Sequence, residues 1–112
     1  MKDRWVKLGV VGVDSGQLMV CDPCYIDSEW SKENFDTKKK SKTSFSYAKI
    51  CELTMKDDKG GQLKYKKGHP GVAVAFSSGI GDGLYEVHAR IGTIGQWGTR
   101  IKEVRIIMDE ER

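Results

Sequence analysis

The sequence predicts an all-β fold, a small sandwich or a partly open barrel of about seven or eight mostly antiparallel strands with at most one short helix. Short apolar runs of strand length recur along the chain at a spacing of roughly 8–12 residues. Clusters of glycine, aspartate and proline separate these runs, as they do at β-turns. Helical features are confined to residues 28–33 and to the C-terminal end.

The first two strands are predicted on either side of a turn. Residues 5–13 alternate loosely between apolar and polar side chains, and residues 18–21 form a second apolar run. The Asp-Ser-Gly sequence between them favours a hairpin. Pro23 ends the second strand because proline has no N–H to donate to a β-ladder. A helical turn is expected over residues 28–33, with an aspartate or serine as its N-cap.

The remaining strands are predicted from alternation and from apolar runs. Residues 45–54 carry aromatic and apolar side chains on one parity, and residues 84–91 have one apolar and one polar face. The run 72–76 is typical of a buried strand. A lysine-rich mobile loop is expected at about residues 36–44. Further strands are predicted at residues 62–66 and 99–108.

Length and composition are those of one β-rich domain spanning residues 1–112. The chain is 38% hydrophobic and 31% charged, as expected of a soluble globular protein. No apolar run approaches the roughly 20 residues that cross a bilayer, and no signal-peptide core follows the N-terminus. We therefore expect a cytoplasmic protein without a membrane partner, and no motif requires a cofactor.

Asp14 lies in an Asp-Ser-Gly sequence after an apolar strand, a pattern also found in aspartic proteases. In those enzymes two such loops face each other and share one proton. An aspartate-dependent hydrolase working as a dimer is therefore one alternative. Gly12 interrupts the strand, however, and Gln17 stands where a small residue usually follows. The pattern favours a turn in which the aspartate bonds its own backbone.

Cys21 and Cys24 have the Cys-x-x-Cys spacing found in redox and zinc sites. Redox versions of the motif open a helix, whereas this one follows a strand. A zinc site would need two more ligands, and only Cys51, His69 and His88 could supply nitrogen or sulfur. The two cysteines are therefore weak metal candidates, and structural thiols are favoured.

A glycine-rich turn over residues 79–83 resembles a phosphate-binding loop. Such loops need a helix N-terminus behind the glycines, and here a strand follows. A tight β-connection in which Asp82 caps backbone amides is favoured. Aromatic side chains beside such turns either line a pocket or cover the end of a sheet. The aromatic candidates are Tyr25, Tyr85 and Trp97.

Lysine is concentrated in the middle of the chain. Residues 32–67 contain eleven lysines and five acidic residues, whereas the whole chain has a net charge of +3. A lysine run without arginine or interleaved aromatics is usually a solvated loop. The alternative is a basic module that contacts phosphate-rich partners through residues 38–42 and 64–67, nucleic acid being one candidate partner.

The two turn regions resemble an uncharacterised bacterial and phage domain family of unknown function. The matching stretches are residues 14–25, which include an Asp-Pro pair, and residues 78–87, which include Gly-Asp-Gly-Leu-Tyr-Glu-Val. Together they cover about a fifth of the chain. The resemblance implies a compact β-rich domain and supplies no activity.

We therefore expect a small, non-enzymatic binding domain whose partner is a small molecule or a protein. Its site is predicted near three aspartate-containing turns, since glycine or proline fixes the backbone there. The predicted ligand-binding residues are Asp14, Asp22, Tyr25, Asp82, Tyr85 and Trp97.

Overall fold

The protein has a mostly β architecture of six strands in two antiparallel sheets, as described by a computed structural model for residues 2–109. The expected β-rich class is confirmed, but the strand count is six rather than seven or eight. Contacts within the chain divide it into two compact units. Unit 1 comprises the described residues 2–15 and 79–109, and unit 2 is Gly16–Ser78.

The elements follow one another in a strand-rich order with one two-turn helix. Single helical turns occur at Tyr25–Ser28 (α1) and, as a 3-10 turn, at Gly95–Trp97. The longer elements are β1 Arg4–Val13, β2 Gln17–Cys21, α2 Tyr47–Thr54, β3 Gly60–Lys64, β4 Pro70–Ser77, β5 Gly83–Thr93 and β6 Thr99–Ile107.

The strand pairing differs from the predicted hairpins. Unit 1 has the order β1-β5-β6 and unit 2 the order β2-β4-β3. β1 and β2, predicted to pair with each other, therefore belong to different sheets. Ten-residue β1 pairs with eleven-residue β5, which satisfies more backbone groups than five-residue β2 could.

The strand predicted over residues 45–54 is wrong, because this segment contains helix α2. Ser46 caps the helix, since its hydroxyl accepts the Lys49 N–H at 3.1 Å. Ile50 and Leu53, three residues apart, are buried on the same side of the helix. The helical turn predicted at residues 28–33 is also displaced toward the N-terminus, because the helical turn in this region, α1, ends at Ser28.

The core of unit 2 lies between α2 and its sheet. Phe45 is fully buried and packs edge-on against Trp30, with ring centroids 4.9 Å apart. Its buried apolar neighbours come from α2 and from β3 and β4. They are Ile50, Leu53, Leu63, Val72, Ala73 and Ala75. This core supports the segment that leads from Glu33 to α2.

Unit 1 is a single sheet with an ion-pair network across its strands. Arg90 on β5 contacts Asp3 at 2.5 Å and Glu103 on β6 at 3.0 Å. Lys102 also reaches Asp3, at 3.2 Å. The ammonium and guanidinium groups lower the pKa values of Asp3 and Glu103. Among residues 2–109, no helix combines the length and the apolar character that a membrane crossing requires.

Candidate functional site

Two of the predicted site residues lie at the same end of the unit 1 sheet. Val13 pairs with Gly83 at the end of the β1–β5 ladder. Asp14 and Asp82 are the next residues outward, so both flank that end. Tyr85 is 3% exposed and donates its hydroxyl proton to the Gly81 carbonyl at 2.5 Å. Tyr85 therefore stabilises the glycine-rich turn from the interior and does not line an open pocket.

Trp97 lies at the other end of β5 and is 72% exposed. Eleven strand residues span roughly 35 Å at about 3.3 Å per residue. Unit 1 thus brings Asp14 and Asp82 together but places Trp97 far from them.

Asp22 and Tyr25 belong to unit 2, where both have local structural contacts. The Asp22 carboxylate accepts the Cys24 N–H at 3.1 Å, which fixes the turn before α1. A side-chain hydrogen bond with Tyr65 raises the pKa of Tyr25 to about 12. A common site for all six predicted residues therefore stays a prediction.

The Cys21 and Cys24 thiols are both held in the protonated form. Burial raises the pKa of Cys21, and a hydrogen bond with Asp22 raises the pKa of Cys24. Metal binding and nucleophilic attack both require the thiolate. In the part of the chain that the structure describes, no group of three histidine, cysteine or acidic side chains is arranged to hold a metal ion.

A groove in unit 2 carries the densest positive charge near a cavity. Its volume is about 500 Å³, and we call it the lysine groove. Ser41, Thr43, Ser44, Leu53, Gln62 and Leu63 form much of its wall. Its four cationic residues are Lys42, Lys49, Lys56 and Lys64, and no carboxylate is among its described lining residues.

Three of the four ammonium groups are available for an external anion. Lys49 contacts Glu52 at 3.2 Å, one turn along α2. Within residues 2–109, Lys42, Lys56 and Lys64 form no ion pair with a carboxylate. Ammonium groups around one cavity repel one another, so a bound anion would relieve the repulsion.

Glu33 fixes the wall of the groove that contains Lys42. Its carboxylate accepts the Lys42 N–H at 2.7 Å. It also accepts hydroxyl protons from Ser41, Thr43 and Ser46, the last two at 2.7 and 3.0 Å. These donors, led by the Lys42 N–H, lower the pKa of Glu33 to about 2. Glu33 is thus ionised at neutral pH and holds the wall through hydrogen bonds.

Glu52 supports the same wall from helix α2. It accepts the backbone N–H of Ser41 and pairs with Lys49. The Ser41 N–H is the main cause of the lowered pKa of Glu52. The segment expected to be a mobile lysine-rich loop is therefore attached to the rest of unit 2 by two carboxylates.

The β3–β4 hairpin presents two stacked rings beside further lysines. The Tyr65 N–H bonds the His69 carbonyl at 3.0 Å, which brings the two residues together. Their rings stack with centroids 4.3 Å apart and an interplanar angle of 21°. Tyr25 packs edge-on against Tyr65 at 5.1 Å. We call this pair of rings the Tyr65–His69 stack.

Gly71 is needed for the position of Tyr65. Its φ is +130°, a conformation that residues with a side chain rarely adopt. A Cβ at this position would lie 3.1 Å from the Tyr65 ring. The Tyr65 hydroxyl donates to the Gly71 carbonyl at 3.2 Å, so the ring lies against the backbone of the glycine.

The sequence prediction of a basic module at residues 38–42 and 64–67 includes Lys42 and Lys64, but it gave no binding role to Lys49 and Lys56 or to the residues that arrange the groove. It placed Lys49 on a strand, whereas α2 directs it into the groove. Glu33 received no role, although Ser41, Thr43 and Ser46 follow it within 13 residues and could have indicated a hydroxyl cluster. The Tyr65–His69 stack depends on a four-residue hairpin turn that the sequence did not specify.

Comparison with known proteins gives no relative: no protein-family model, curated protein or solved structure matches the chain.

Proposed function

We propose that this protein is a small non-enzymatic binding domain whose lysine groove binds phosphate-rich anions. The observation that carries the proposal is the set of four lysines around a cavity without a described lining carboxylate. The groove also offers the hydroxyl group of Ser44 as a donor. Ammonium and hydroxyl groups are common ligands of phosphate oxygens.

The net charge supports this position for the site. Unit 2 contains eleven lysines and eight acidic residues, whereas the rest of the sequence, residues 1–15 and 79–112, contains eight basic and eight acidic residues. The whole excess of positive charge therefore belongs to the unit with the groove. A site at the Asp14 and Asp82 turns, or a dimeric aspartate hydrolase, draws no support from this charge distribution, because the two carboxylates would repel an anion.

Retention on heparin and affinity for long-chain polyphosphate test the proposal. We expect Lys56→Gln/Lys64→Gln to elute from heparin at lower salt and to bind polyphosphate more weakly. Three available lysines predict a fall in affinity of roughly 20-fold between 50 and 200 mM salt, and the double variant, which removes two of them, reduces that slope by about two-thirds.

The matched control is Lys2→Gln/Lys32→Gln, which removes the same charge from two exposed lysines that lie outside the groove and pair with no described carboxylate. It should elute close to the parent protein. Equal losses in the two double variants would show a response to net charge alone and would contradict a site in the groove.

A further inference from the structure

The Tyr65–His69 stack has an open aromatic face. His69 is exposed, although one face of its ring lies on Tyr65. The exposed surface therefore belongs to the opposite face and to the ring edge. Tyr25 and the Gly71 carbonyl hold Tyr65 in place, so the stack is supported from below. A planar ligand placed on the face of His69 opposite Tyr65 would extend this stack.

Lysines neighbour the stack in the hairpin, although the Glu29 carboxylate also lies at the turn, where it accepts the Lys66 N–H at 2.9 Å. Lys64, the residue before Tyr65, lines the lysine groove. Lys67 is exposed at the hairpin turn, and no described carboxylate pairs with it. β3 is an edge strand of its sheet, so no other strand separates the groove from the hairpin turn along that edge. A flexible polyanion can therefore contact the groove and the turn together.

We propose that the Tyr65–His69 stack is a platform for a nucleobase, and that the partner of the lysine groove is a single-stranded nucleic acid. Proteins bind single strands by combining a basic groove for phosphates with aromatic rings on which bases stack. Both parts occur here in unit 2, with Lys64 next to the platform. The inference rests on the proposed function and adds the chemical class of the partner.

A single strand fits these features better than a duplex or an inorganic polyanion. Bases in a duplex stack on each other, so their faces are closed to a protein ring. Polyphosphate and heparin have no planar group for His69. The described lining of the groove contains no arginine, the side chain that most often forms specific hydrogen bonds with guanine. We therefore expect little dependence on base sequence.

Fluorescence anisotropy with two matched probes tests the platform. One probe is a ten-residue oligothymidylate, and the other is a ten-residue abasic oligonucleotide with the same phosphates. We expect the parent protein to bind the oligothymidylate about fivefold or more tightly, the gain expected from one stacked base. His69→Ala should remove this preference and leave the affinity for the abasic probe unchanged.

Three further variants separate stacking from charge and from the groove. His69→Phe keeps a planar ring without a titratable nitrogen and should retain the preference for the oligothymidylate. His88→Ala, a matched histidine on β5 of unit 1, should bind both probes as the parent does. Lys56→Gln/Lys64→Gln should weaken binding of both probes alike, because both carry the same phosphates.

Each failure has a distinct meaning. Equal affinity of the parent protein for the two probes would overturn the platform, as would a loss in His69→Phe equal to that in His69→Ala. In either case binding of polyphosphate would leave the proposed function standing. If polyphosphate and both oligonucleotides fail to bind at low salt, the proposed function fails and the platform fails with it.

Discussion

The acidic residues of the sequence divide evenly, with eight in residues 16–78 and eight in the rest of the chain, but the two units use their carboxylates differently. In unit 1 the carboxylates of Asp3 and Glu103 contact cationic side chains on neighbouring strands. In unit 2 the carboxylate of Glu33 binds backbone N–H and hydroxyl groups of the groove wall, whereas Glu52 binds the Ser41 N–H and also the Lys49 ammonium group. The ion pairs of unit 1 therefore neutralise several of its cations, whereas in unit 2 Lys42, Lys56 and Lys64 form no ion pair with a described carboxylate.

This difference shows that net charge alone does not locate an anion site. An arginine or lysine paired with a carboxylate attracts a phosphate only weakly, because the carboxylate neutralises its charge and occupies its donors. A carboxylate that binds neutral donors instead positions the chain and neutralises no ammonium group. The direction of a few acidic side chains thus decides which cations are available.

The largest expected effect comes from removing the core beneath the groove. Phe45→Ala deletes a fully buried ring in unit 2 and should lower the free energy of unfolding by about 3–5 kcal/mol. Binding of polyphosphate should weaken as well, because Phe45 supports the segment before α2. Urea denaturation measures the first quantity, and anisotropy measures the second.

Trp5→Ala is the matched change in unit 1. Trp5 is 41% exposed and stacks under Arg105 at 4.2 Å, so we expect a loss of only about 1 kcal/mol. Polyphosphate binding should be unchanged. A larger loss in Trp5→Ala than in Phe45→Ala would contradict the description of unit 2 as the unit with the buried core.

An intermediate effect is expected from Glu33→Gln, and it depends on pH. The folded pKa of about 2 is below the ordinary value of 4.5, so ionised Glu33 stabilises the fold above about pH 4.5. That stabilisation is lost as pH falls from about 4.5 through about 2. The difference in Tm between parent and variant should therefore be constant near neutral pH and shrink toward pH 2.

Asp27→Asn provides the control for charge removal, because Asp27 is an exposed acid of the same unit. Its effect on Tm should be smaller than that of Glu33→Gln at neutral pH. Glu33→Gln should also weaken polyphosphate binding. Removing a negative charge would by itself favour an anion, so weaker binding would reflect the loss of the groove wall. Tighter binding of polyphosphate by Glu33→Gln would mean that Glu33 affects binding only by repelling the anion. It would contradict the proposal that Glu33 holds the groove wall in place for binding.

The smallest effect is expected from Arg90→Gln in unit 1. This change breaks the contacts with Asp3 and Glu103, which are partly solvent-exposed, so Tm should fall by no more than about 4 °C. Elution from heparin should not change, because Arg90 is already paired. A clear shift in elution would show that unit 1 also binds anions and would remove the contrast between the units.

Local patterns predicted several strands well. The apolar run at 72–76 lies inside β4, and the alternation at 84–91 lies inside β5. The strand predicted at 99–108 corresponds to β6 within one residue. These predictions succeed because side-chain alternation and an apolar run are properties of the segment alone and do not depend on its partners in the fold.

Pairing and the helix were not predictable in the same way. β1 finds its partner about 80 residues later in the chain, and no local turn encodes that contact. In α2 the alternation of side chains is also compatible with a strand, and the hydrogen bond from the Lys49 N–H to the Ser46 hydroxyl favours the helix instead. The groove combines Lys42, Lys49 and Lys64 from three separate segments, so the sequence could show their charge but not their common site.

The chain enters and leaves unit 2 at a single place. The N–H of Ser78 bonds the carbonyl of Gly16 at 2.9 Å, so the first and last residues of the unit are in direct contact. Unit 2 thus has the form of an insertion in a discontinuous unit 1. Whatever binds at the lysine groove and the Tyr65–His69 stack is bound by one continuous piece of sequence. That piece can change its length or its ligand without altering the β1–β5 ladder.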